Sequence, residues 1–114
     1  MEKIYNKLVR DKIPDVCYAN NEKAIYHILS DDEYRIELIK KMGEELLEVR
    51  LANTKGEMTL ELADILEIVF ALNKYLGNTE QELFDVRSKK LISNGGFDKR
   101  IFLEKVIKED IESL

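Results

Sequence analysis

Apolar residues recur at helical spacing through the middle of the chain and break off at short polar clusters, which predicts long helices joined by tight turns. Leu38, Met42 and Val49 share one face of a segment expected to be helical from about Asp31 to Ala52. Ser30 followed by Glu33 is a capping box and marks its start. Asn53-Thr54-Lys55-Gly56 reads as a turn, and Thr54 with Glu57 offers a second box. The next helix should cover about Glu57 to Leu76, with Met58, Leu62, Ile65, Val69, Leu72 and Leu76 as its apolar face. Gly77-Asn78 stops it. Thr79 with Glu82 repeats the cap signature, and a third long helix runs to about Ser93, before the breaker Asn94-Gly95-Gly96. Upstream, Pro14 opens a short helix that Asn20-Asn21 ends after Ala19. Two stretches rich in strand formers, Ala24 to Leu29 and Ile101 to Leu103, predict short edge strands or a hairpin outside the bundle, followed by a polar tail. The expected class is all-α.

Composition narrows the function classes. At 114 residues the chain fits one domain, residues 1–114, with a limited core to which a partner chain would add burial. With 23 acids against 18 bases the net charge is −5, which argues against nonspecific nucleic-acid binding but leaves room for a small anionic ligand. Cys17 is the sole cysteine, so no intrachain disulfide can form and a reducing compartment is expected. The first residues lack the apolar run of a secretory signal, and the most apolar stretch, Ile65 to Leu72, is interrupted by Glu67 and too short to span a bilayer. A cytoplasmic protein without a membrane partner is expected.

The chemistry lies in where acids meet apolar stripes. Glu45 falls within the face of Leu38, roughly 20° away at about 100° per residue, and Glu48 borders it one turn on. On the next helix Glu61 sits at the edge of the apolar face and Asp64 beside it, whereas Glu67 points away. A short turn makes the two helices antiparallel neighbours, so the two pairs can converge between them. Like charges about 4 Å apart cost roughly 1 kcal/mol in water and about 4 at an effective dielectric near 20. The acids must therefore splay into solvent, shift their pKa values, or hold a cation. An all-oxygen set selects Mg²⁺ or Mn²⁺, and the lack of histidine disfavours zinc. A single Glu-x-x-Glu is usually solvated surface; two clusters on adjacent helices weigh against that reading without excluding it.

Glu45-Leu46-Leu47-Glu48 and Glu61-Leu62-Ala63-Asp64 resemble the Glu-x-x-Glu and Glu-x-x-Asp pattern of the MazG-like all-α nucleotide pyrophosphohydrolases. Asn6 to Pro14 resembles the opening block of a phosphoribosyl-ATP pyrophosphohydrolase-like subgroup, and Lys89 to Asp98 resembles its closing block. Together they cover about residues 5–105. The resemblance implies a MazG-like helical bundle and Mg²⁺ on Glu45, Glu48, Glu61 and Asp64. It also implies Mg-dependent cleavage of a nucleoside triphosphate or related nucleotide to a monophosphate and pyrophosphate, and a homodimer or homotetramer. The substrate could be phosphoribosyl-ATP or a non-canonical nucleotide removed in house-cleaning. Glu45 or Glu48, where not engaged with cation, could accept a proton from water. Arg10, Lys12 and Lys41 are candidates to face phosphate. The closing block departs from the commoner arrangement of phosphate-contacting bases and asparagine, and Lys89, Lys90, Asn94 and Arg100 are its candidates. A non-enzymatic helical interaction module, and a phosphohydrolase releasing orthophosphate, are the rival readings.

Overall fold

The computed structural model describes residues 1–109, and four helices form among them: α1 (Ile13–Ala19), α2 (Asp31–Leu51), α3 (Lys55–Tyr75) and α4 (Glu80–Asn94). The all-α expectation holds. The chain divides into two compact units, Met1–Glu80 and a second beginning at Gln81.

Local chemistry explains the helix ends. At the start of α2 the Ser30 hydroxyl accepts from the Glu33 N–H at 3.3 Å, while Glu33 Oε1 accepts from the Ser30 N–H at 3.2 Å, so the box is complete. Those bonds with Ser30 hold the Glu33 carboxyl below its ordinary range. At α3 the Thr54 hydroxyl accepts from the Glu57 N–H at 3.1 Å, but Glu57 reaches past the cap and accepts from the Asn53 N–H at 2.9 Å. The turn from Ala52 to Thr54 is thereby tied to the first turn of α3. The far end of α3 closes in a Schellman motif: the Gly77 N–H donates to the Lys74 carbonyl and the Asn78 N–H to that of Asn73, with Gly77 at φ 85°. The same device ends α1, with Asn21 at φ 59° in the glycine's place and Glu22 donating to Cys17.

In the first unit α2 and α3 form an antiparallel hairpin. Tyr34, near the start of α2, meets Tyr75, at the end of α3, edge to face with centroids 6.1 Å apart. Leu38 and Ile68 are the buried apolar side chains among the described residues, and Asn73 is buried with its amide donating to the Thr79 carbonyl at 3.0 Å. The face of α3 that meets α2 corrects the expected one. Ile68, absent from the expected stripe, is at its centre, and Met58, Leu62 and Leu76 are exposed. Helix α3 carries two apolar stripes about 100° apart, and α2 packs against the one that also bears Glu61.

No strand forms among the described residues, which corrects the expectation for Ala24 to Leu29 and for Ile101 to Leu103. A strand needs a neighbour to satisfy its backbone N–H and C=O groups, and neither segment has one. Ile25, Tyr26 and Ile28 remain exposed. The polar tail expected at the end lies partly outside the described residues. Among the described residues no helix is long and apolar enough to cross a membrane. In the second unit α4 stands with Gln81 Nε2 donating to Asp85 Oδ1 at 2.8 Å and Gly95, at φ 81°, donating to Leu91 beyond its end.

Candidate functional site

Helical spacing and the tight turn together determine where the acids meet. Glu45 projects from the face of α2 that bears Leu38, about two turns further along, and Glu61 and Asp64 project from α3 on either side of the line through Ile68. Each of these three offers a carboxylate oxygen within 4.8 Å of the others, and all three are half-buried. Glu48, one turn along α2, is exposed and stands outside the trio. It lines a shallow recess of about 160 Å³ with Leu51, Ala52, Glu57 and Glu61, continuing the acidic surface toward the turn.

Proximity perturbs one of the acids strongly. The Glu45 carboxyl is pushed up to about 7, first by its hydrogen bond to Glu61, then by burial and by the charges of Asp64 and Glu61, with Lys41 opposing. Without a cation Glu45 therefore holds a proton below about pH 7 and donates it to the Glu61 carboxylate. Asp64 is balanced differently. Arg10 Nη2 donates to Asp64 Oδ1 at 2.6 Å, an ion pair spanning 54 residues of sequence. The cluster thus reduces its repulsion by two of the three routes open to it, a shared proton and a borrowed cation.

The basic candidates separate accordingly. Arg10 reaches the acids directly. Lys41 is half-buried one turn before Glu45, with its Nζ 3.9 Å from Glu44 Oε2, so Glu44 faces a lysine and does not join the trio. Lys12 is exposed at the N-cap of α1. Lys89, Lys90 and Asn94 are exposed on α4 and Arg100 follows it at φ 57°, all within the second unit. Two features went unread in the sequence. Glu57 lines the recess, and its position one turn before Glu61 was the available signal. The pairing of Arg10 with Asp64 left no local signal at all.

No sequence model of a known protein family matches the chain, and no solved structure matches it. A protein of Mycolicibacterium smegmatis described as uncharacterized is 43% identical over 49 residues, which is 43% of this chain and 50% of that protein. The match therefore spans half of the relative's length.

A raised carboxyl predicts a pH dependence with a definite sign. Glu45 binds more protons folded than unfolded between its ordinary value of 4.5 and about 7. Its contribution therefore favours the folded, cation-free protein below that window and is lost as pH rises through it. The melting temperature without divalent ions should fall between pH 5 and pH 8, by on the order of 5 °C once solvent screening of a half-exposed group is allowed for. Glu45→Gln should flatten that slope. Differential scanning calorimetry of both proteins across the range measures it, and an equal slope in the variant contradicts the shared proton.

Proposed function

We propose that the protein is a magnesium-dependent nucleotide pyrophosphohydrolase that hydrolyses a nucleoside triphosphate or related nucleotide to the monophosphate and pyrophosphate. One observation carries this reading: the convergence of Glu45, Glu61 and Asp64, from two different helices, on a common point. It is joined by the sequence pattern that resembles the MazG-like enzymes.

The donor set fits a hard divalent ion. All three groups are carboxylates, none is a nitrogen or sulfur ligand, and they are open enough to leave room for solvent and phosphate oxygens. Glu45, Glu61 and Asp64 would hold Mg²⁺ or Mn²⁺, with Glu48 available from the recess wall. When bound, such an ion neutralises phosphate charge and makes water a better nucleophile. The chain's own groups have separate tasks. Glu45, where it is not engaged with the cation, is suited to receive a proton from water at its carboxylate oxygen. Glu48, exposed on the recess, is the alternative acceptor. Arg10, paired with Asp64, would supply a guanidinium to phosphate oxygens as charge builds on them. Lys41, one turn from Glu45, adds positive charge on the same side of α2.

The test is a panel of nucleotides with Mg²⁺, including dUTP, dCTP, oxidised and deaminated triphosphates and phosphoribosyl-ATP, with the released phosphate species identified. Pyrophosphate from at least one substrate, abolished by chelation, is expected. Orthophosphate alone would assign a different hydrolase, and no release from any substrate would favour a non-enzymatic helical interaction module.

A further inference from the structure

Asp64 stands on α3, but its ionic partner Arg10 arrives from a segment, residues 1–12, that forms no helix or strand. Apart from Leu8, every residue of that segment is exposed. The helix that follows anchors it little: α1 has no buried residue and packs against neither α2 nor α3. Arg10 Nη2, 2.6 Å from Asp64 Oδ1, thus ties a lightly held strap to the hairpin. Local opening costs least where little apolar surface is buried, so the strap can part from the hairpin without disturbing it.

The same pair closes the acidic trio. Asp64 is one of the three carboxylates whose oxygens lie within 4.8 Å of one another, and the guanidinium lends that set a positive charge belonging to the chain itself. Lys41 also lies near the trio, but its ammonium is half-buried, 3.9 Å from Glu44, and the backbone of α2 fixes its place. Arg10 differs in having a backbone that can move away.

A divalent ion taken up by Glu45, Glu61 and Asp64 would have to share Asp64 with the guanidinium, and like charges repel. The ion pair is accessible, with side chains 58% and 38% exposed, and pairs in that setting hold weakly. Of two cations competing for one carboxylate, the singly charged one gives way. Resting on the magnesium-dependent reading above, we propose that Arg10 is a latch: it closes the cation-free trio through Asp64 and is released, together with residues 1–12, when a divalent ion is bound. The freed guanidinium is then available to phosphate oxygens, so one side chain offsets carboxylate charge at rest and phosphate charge at work. Linkage makes the effect reciprocal: an ion that expels Arg10 must bind more tightly once Arg10 is gone.

Titration calorimetry of manganese chloride into the full chain, with no nucleotide present, reads the competition. Arg10→Gln should bind Mn²⁺ about three- to tenfold more tightly than the unaltered protein at low salt. Lys12→Gln is the control. It removes the same charge from an exposed side chain at the N-cap of α1 that forms no ion pair among the described residues, and affinity should change by less than about twofold. Motion of the strap is a separate readout. Saturating magnesium chloride should lower the heteronuclear NOE of the amides of residues 5–12 in the unaltered protein, and leave it unchanged in Arg10→Gln, where it is already low. Equal Mn²⁺ affinity in the unaltered protein and Arg10→Gln, equal tightening by Arg10→Gln and Lys12→Gln, or a strap no more mobile with ion bound would each overturn the latch while leaving the metal site standing. No ion bound by either protein would overturn the latch and the magnesium-dependent reading together. Neither readout depends on hydrolysis.

Discussion

Asp64→Asn and Glu61→Gln should each lower Mg²⁺-dependent pyrophosphate release by on the order of 10²–10³-fold, with the helical circular dichroism unchanged. Each substitution keeps shape and removes one negative charge from a set of three oxygen donors within 4.8 Å. Less charge means a weaker hold on a divalent ion and less neutralisation of phosphate at the moment of reaction. The fold should tolerate both changes, because the acids repel one another: removing one relieves a cost that Glu45 meets by keeping its proton. The two variants should differ in one respect. Asp64→Asn leaves Arg10 without its anionic partner, whereas Glu61→Gln leaves that pair in place but replaces the charged acceptor of the Glu45 proton by a neutral amide. Both should therefore lower the Glu45 carboxyl toward its ordinary range, Glu61→Gln by the larger amount, visible by carboxyl-detected NMR titration. Full activity in either variant would sink the assignment.

Leu38→Ala should be the most damaging single change to stability, at about 2–5 kcal/mol. A small domain has on the order of 5–15 kcal/mol to lose, and in this hairpin Leu38 is one of two buried apolar side chains among the described residues. Removing it leaves Ile68 as the one buried apolar side chain among the described residues. Urea denaturation followed by circular dichroism should show a much lower midpoint, or loss of the cooperative transition. Leu60→Ala is the control. Leu60 is on α3 but 68% exposed, and its truncation should change stability by no more than about 0.5 kcal/mol. Equal effects from the two would mean that the buried pair does not hold the hairpin.

The helices were legible because their signals are short-range. Ser30 with Glu33, Thr54 with Glu57, Gly77-Asn78 and Asn20-Asn21 each act over a few residues, and hydrogen bonds form at all four places. The convergence of Glu45 with Glu61 and Asp64 was legible for the same reason. Helical period and a short turn constrain which side chains can meet, and no distant part of the chain is needed.

Three matters depended on longer-range partners. Whether Ala24 to Leu29 pairs as a strand depends on a neighbour, and β-propensity says only that such residues would suit one. Which stripe of α3 turns inward is ambiguous in a helix apolar on two sides, and packing against α2 chose the stripe through Ile68. Arg10 and Asp64 are 54 positions apart, beyond any pattern that periodicity can read. The amino-acid sequence alone thus determined the helices, the turn and the facing acids, all properties of backbone hydrogen bonding within a few residues. The tertiary structure decided the buried face of α3 and the counter-ion of Asp64, because burial and charge pairing depend on which distant groups arrive together.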